Sequence, residues 1–340
     1  MPSTSISKAF LDTVAGVRFA DAAAIDGHFA AFGHGAGYID WFNKTQGGKG
    51  AWGRDHAGRA RIFRIVDTPA SRRRFATFWN GAAGLFGAAG PDFFQFVCLT
   101  SIFVNEIGGD LLPIEELVGN RDHPGIAYAF DEIAGLKRSY NTLPGNRTAF
   151  ALFRDEAYRQ AHRHRALADR FPDAAAVGAA WKGTAWPAGF PTRTDPALAG
   201  FLLEADFFKF RGRGFIQTTG RANYLPLVRY VQAYGGADPD LLDYKTRWAG
   251  RDTDEIATTS SNGDWRKLFF CASLDLPRQA IAEHDKGSGN YLALNTASAA
   301  ALSGSGPGSI HRMGLRISGA QAYAAHFHER IVQICDGLGN

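Results

Sequence analysis

The chain has 340 residues, 45% of them hydrophobic and 21% charged. This excludes disorder over most of its length and admits one large domain or two small ones. Lys plus Arg number 37 against 33 Asp plus Glu, a formal net charge of +4 that suits an anionic polymer partner without requiring one.

The 26 Phe and only 2 Met predict an aromatic core. The three cysteines, Cys98, Cys271 and Cys335, are odd in number and far apart in sequence. A disulfide scaffold is therefore not expected, and the chain reads as made in a reducing compartment. The opening MPSTSISKAFLDTVAG is too short and too charged for a secretory signal. Synthesis in the cytoplasm is the expectation, with release by lysis or by a dedicated secretion machine.

Residues 1–80 alternate short helical patterns with glycine-rich turns, at 33–38 and 46–53. Neither turn has phosphate-loop or dinucleotide spacing. The segment is read as a helical N-terminal extension of unassigned role, ahead of a catalytic domain over 81–340. The most membrane-like stretch, Gly81–Val104, is interrupted at Pro91-Asp92. What remains, Phe93–Val104, falls short of the ~20 residues that span a bilayer. A buried core helix is predicted there instead, N-capped by Asp92 and stopped at Gly108-Gly109. Further along, an amphipathic, Arg-rich helix is predicted over about 148–170. An irregular excursion follows over 171–200, which holds four of the 14 prolines with Trp181 and Trp186. A polar loop is expected at about 245–264, a Gly/Ser loop at 303–309 and a last helix at about 317–336. Strand signals are few, so the fold class is mainly α.

Two stretches stand apart from generic core. In SIFVNEIGGDLLPIEELVG, 101–119, Glu106 closes an almost wholly apolar helix. A buried carboxyl is costly unless protonated, paired or functional, and burial is how a Glu becomes a general acid near neutral pH. Glu115 and Glu116 follow after Gly108, Gly109 and Pro113, which let the chain turn back toward the first carboxyl. Inverting glycosidases need two carboxyls ~6.5–9.5 Å apart with room for a water. The spacing is equally met by a capped helix end and a solvated Glu115/Glu116 face.

The second stretch is FFKFRGRGFIQTTGRANY, 207–224. Phe210, Gly212, Arg213, Gly214, Ile216, Gln217, Thr219, Asn223 and Tyr224 match an aromatic-x-G-R-G-x-I-Q-x-[ST]-x-x-x-N-Y pattern. Here the sequence resembles glycoside hydrolase family 19, which contains plant-type chitinases and phage-type endolysins. The family's other hallmark, a helix ending in H-E-[ST]-G-G, has its counterpart in Asn105-Glu106-Ile107-Gly108-Gly109, with Glu115 nine residues after Glu106. Asn105 stands where the family has His, and Ile107 where it has Ser or Thr. The resemblance covers about 95–116 and 207–226.

That resemblance implies a lysozyme-like α+β fold with a two-lobed cleft. It implies Glu106 as general acid, Glu115 as general base and Thr219 as the hydroxyl that helps hold the attacking water. It places Gln217, Asn223, Arg213 and Tyr224 at the substrate. The implied activity is inverting hydrolysis of β-1,4 N-acetylhexosamine linkages, in peptidoglycan or else chitin, by a monomer without cofactor or metal. A catalytically inactive wall-binding relative is the other possibility.

Other candidates are weaker. His162 and His164, and likewise His326 and His328, sit about 200° apart on their helices, too far round to share a metal. Arg72-Arg73-Arg74 lies beside no nucleic-acid recognition motif, so no nucleic-acid partner is expected. Trp79, Trp181 and Trp186 suit either core packing or stacking on sugar rings.

Overall fold

The structure is a computed structural model and describes residues 5–47, 51–54, 60–115 and 209–339. These form two compact units, Met1–Pro113 with Ser273–Asn340, and Ile114–Ala272. Both are mainly helical, and the described strands form two short antiparallel pairs.

The first unit opens with α1 (Lys8–Val14), α2 (Ala22–Ala30) and α3 (Tyr38–Thr45), then the paired strands β1 (Ala51–Arg54) and β2 (Ala60–Ile62). After these come α4 (Pro69–Asn80), α5 (Ala83–Phe86) and the central α6 (Phe93–Ile107). α6 begins where the sequence predicts. The Asp92 carboxylate accepts from the Gln95 amide at 2.8 Å, and the Gln95 side chain accepts from the Asp92 N–H at 2.9 Å. Its end is also as expected, at Gly108 with φ 79°, where a Cβ would be disfavoured. Twelve of its 15 residues are buried, which makes it the centre of the unit rather than a surface helix. Each buried Phe or Leu contributes roughly 1.5–3 kcal/mol of transfer free energy.

The core is aromatic, as the composition predicts. The Phe96 ring of α6 meets Tyr38 of α3 at 4.7 Å, Trp79 of α4 at 4.8 Å and Phe19 at 5.2 Å between centroids. Phe10 of α1 meets Phe93 at 5.8 Å. Residues before 80 therefore share their core with α6, and the segment expected to be an extension packs as part of this unit. Trp79 is core.

Returning after residue 272, the chain adds α11 (Asp275–Gly287), α12 (Ala299–Ser303), α13 (Ile310–Ser318) and α14 (Gln321–Asp336). The loop expected at 303–309 follows α12 and ends at Ser309, whose hydroxyl caps α13 by accepting from the Arg312 amide at 3.0 Å. The final helix begins at Gln321, later than the 317 expected, because Gly319 closes α13 in the left-handed region at φ 72°. α13 and α14 approach closely at Gly314, where a Cβ would lie 2.8 Å from the Phe327 ring.

In the second unit, β3 (Ile114–Glu115) pairs antiparallel with β4 (Arg213–Gly214), Glu115 opposite Arg213. α7 (Arg221–Ala233), α8 (Pro239–Trp248), α9 (Thr253–Thr259) and α10 (Asn262–Phe269) follow. The polar loop expected at 245–264 is not one: it is the end of α8, all of α9 and the start of α10. Asp252 and Ser261 are N-caps, and Trp248, Ile256, Ala257 and Trp265 are the buried faces of these short helices. The helix expected at 148–170, the excursion at 171–200, His162, His164, Trp181, Trp186 and Glu116 lie outside the described residues.

Candidate active site

The two carboxyls singled out by sequence belong to different units, and each has its own setting. Glu106 is the second-last residue of α6 and part-buried, at the point where this apolar helix turns polar. Its Oε1 accepts from the Asn105 amide nitrogen at 3.0 Å and from the Tyr323 hydroxyl of α14 at 2.8 Å. Asn105 thus supplies a donor to the neighbouring carboxyl. Burial pushes the Tyr323 phenol well above its usual range and the adjacent Glu106 pushes it further, so it is a proton donor at any ordinary pH.

Glu115 lies in β3, where Pro113 and the pairing with β4 bring it back against the G-R-G turn. Its Oε2 accepts from Arg211 Nη2 at 2.8 Å and its Oε1 from Arg213 Nε at 2.9 Å. Arg213 has no exposed surface and Arg211 only 5%. The two guanidiniums also converge on Asn262 Oδ1 at the start of α10, which Arg213 Nη2 reaches at 2.6 Å. Arg213 Nη1 further donates to the Lys209 carbonyl and to the Tyr224 hydroxyl, the latter at 3.1 Å; that hydroxyl donates to the Arg211 carbonyl at 2.7 Å.

Charge and burial oppose one another here. Burial pulls the Arg211 guanidinium down to about 10, and Arg213 beside it adds to the pull, against Glu115 and Tyr224. Burial acts the same way on Arg213, but Tyr224 and Glu115 outweigh it and hold that guanidinium above its usual value. Both are cations at neutral pH. Burial raises the Tyr224 phenol, and Arg213 partly offsets this.

The turn that presents this cluster is tight. Arg213 and Thr218 exchange backbone hydrogen bonds of 3.1 and 2.9 Å, closing a loop in which Gly214 sits at φ 84° and Gln217 at φ 54°. Left-handed backbone at a non-glycine residue costs of order 1–3 kcal/mol and is concentrated at functional positions. The Gln217 side chain donates to the Gly214 carbonyl at 3.3 Å, and the Thr219 hydroxyl donates to the Gln217 carbonyl at 2.8 Å. Asn223, one turn into α7, donates to the Thr219 carbonyl at 2.7 Å.

The structure therefore brings Glu115, Arg213 and Tyr224 into one cluster, with Gln217, Thr219 and Asn223 along the adjoining turn. Arg213 and Tyr224 were expected at the substrate. Neither has exposed surface; Arg213 holds Glu115, and Tyr224 holds Arg213 and the Arg211 carbonyl. Sequence reasoning missed Tyr323, Arg211 as a ligand of Glu115, and Asn262. The alternation of Arg211 and Arg213 about Gly212 was the available signal for the double arginine clamp, whereas nothing in sequence ties Tyr323 to Glu106. Among the described residues no three His, Cys, Asp or Glu side chains cluster to hold a metal ion, and no helix there is long and apolar enough to cross a membrane. The chain matches no protein-family model, no curated protein and no solved structure.

Proposed function

We propose that the protein is a glycoside hydrolase that cleaves β-1,4 N-acetylhexosamine linkages of peptidoglycan by single displacement. The observation that carries this reading is the seating of Glu115 against the G-R-G turn, where two buried arginines fix its carboxylate. The left-handed turn that bears Gln217 and Thr219 adds to it, since amide and hydroxyl side chains suit a sugar's hydroxyl pattern.

In this mechanism Glu106 gives its proton to the glycosidic oxygen as the C1–O bond breaks. Water attacks C1 from the opposite face, and Glu115 takes the proton that water loses. Each Glu115 oxygen accepts one arginine N–H and has a further lone pair, which would receive that proton. Thr219 would help hold the water, and Gln217 and Asn223 would meet the sugar. The lysozyme-like two-lobed cleft, the monomeric state and release from the cytoplasm to the wall belong to the same proposal. The net charge of +4 assists approach to an anionic wall, an effect that weakens with salt.

A second reading, a catalytically inactive wall-binding relative, is favoured by the arginine clamp itself, because a buried ion network also serves structure alone. Clearing of a cell-wall suspension separates the two. Activity in the wild type that falls at least ~100-fold in Glu106→Gln supports catalysis. Wall binding without clearing supports the inactive relative, and cleavage of chitin oligomers with intact sacculi would move the substrate to chitin. Proton NMR of fresh digests should show the α-anomer; a β-anomer would mean retention.

A further inference from the structure

The last helix of the first unit reaches Glu106 from 217 residues away in sequence, through the Tyr323 hydroxyl. Tyr323 is itself fixed: its ring stacks on Phe327 at 6.4 Å and 22°, one turn along α14. Phe327 in turn is locked against Gly314 of α13. A hydroxyl held this rigidly does more to a carboxyl than a mobile one. The Asn105 amide donates to the same oxygen, so two donors converge on Oε1.

We propose that Tyr323 is the positioning residue of Glu106: by donating to Oε1 it sets the orientation in which Glu106 acts as an acid and stabilises its charged form. The proposal rests on the glycoside hydrolase reading for its role in catalysis, but the coupling between the two side chains can be measured without turnover. Burial keeps the phenol protonated, so the donor persists across the working pH range.

A donor to a carboxylate favours its charged form, so removing it makes the carboxyl hold its proton to higher pH. The test is a carbon-13 NMR titration of the Glu106 side-chain carboxyl, identified by its loss in Glu106→Gln. In Tyr323→Phe, which keeps the ring, the midpoint should rise by at least about 0.5 pH unit. Installing 3-fluorotyrosine at position 323, a more acidic and stronger donor, should lower it, and this variant decides the matter if Tyr323→Phe does not fold. Phe327→Leu keeps the hydroxyl but loosens the ring that carries it, and should raise the midpoint by less than Tyr323→Phe does. Kinetics on cell walls provide the second readout: in Tyr323→Phe the basic limb of kcat/KM should move to higher pH by the same amount, with KM unchanged. A Tyr323→Phe titration that overlays the wild type overturns the proposal, as does an equal shift in Phe327→Leu. If the wild type cleaves no wall, the hydrolase reading fails, while the titration still accepts or rejects the coupling.

Discussion

Replacing Glu115 with Gln should cost stability as well as activity, and the structure indicates how much. The Glu115 side chain is 14% exposed and its arginine partners are 6% and 0% exposed, so this ion network is nearly dry. Gln keeps one acceptor oxygen but turns an NH2 group toward a guanidinium that can only donate. Two buried cations are then left without their anion. Removing one partner of a buried pair typically costs 3–5 kcal/mol, far more than the intact pair contributes over an apolar replacement. Taking about 3 kcal/mol, and about 2–4 °C per kcal/mol for a unit of this size, the melting temperature should fall by about 6–12 °C. Differential scanning calorimetry on the full chain measures this. A double variant, Glu115→Gln with Arg211→Leu, should regain part of the loss, because it removes one of the stranded charges. A Glu115→Gln melting temperature within about 1 °C of wild type would refute the reasoning: the clamp would then be solvated, and the geometry at the G-R-G turn would be wrong.

The remaining expectations are distinct from this one. Glu106→Gln should melt close to the wild type, because its amide oxygen can still accept from Tyr323 and Asn105; a drop as large as that of Glu115→Gln would show that Glu106 is a structural ion instead. Burial lowers His28 and His284, Arg316 also acting on His284, and burial with His311 lowers His328; all three lie in the first unit. A depressed folded value means the unfolded chain takes up protons first, so stability should fall as pH drops below about 6.5, and replacing the three with Gln should flatten that slope in melts between pH 5 and 7. Asp92→Ala removes the carboxylate that accepts from the Gln95 amide and should cost about 1 kcal/mol in urea unfolding. Cys98, Cys271 and Cys335 are buried free thiols, and burial pushes Cys98 and Cys335 upward, so a thiol reagent should label none in the native protein and all three in denaturant.

What could be read from sequence follows from where the physics is local. α6 is legible because an Asp cap, an apolar run and a Gly stop all act within one segment. The breakers between residues 108 and 113 announce a turn, but they do not name its destination: the pairing of Glu115 with Arg211 and Arg213 was not legible. The end of α8, all of α9 and the start of α10 were mistaken for a loop because the caps of α9 and α10, Asp252 and Ser261, are the same polar residues that make turns, and both helices are too short to show a clear 3.6-residue period. The partners of the two carboxyls were not legible. The ring of Tyr323 and the amide of Asn262 reach their targets only through tertiary packing, from segments with no motif of their own. Arg213 shows the same limit in another form: a motif names the residue, but only the folded structure shows that its side chain is fully buried.

The central claim is that Glu106 and Glu115 make this chain a wall-cleaving glycosidase. Mass spectrometry of purified sacculi after incubation with the wild type and with Glu106→Gln tests it most directly. Muropeptides with new reducing ends from the wild type, nearly absent from the variant, are the predicted result. Intact sacculi from both, or equal release by both, would contradict it.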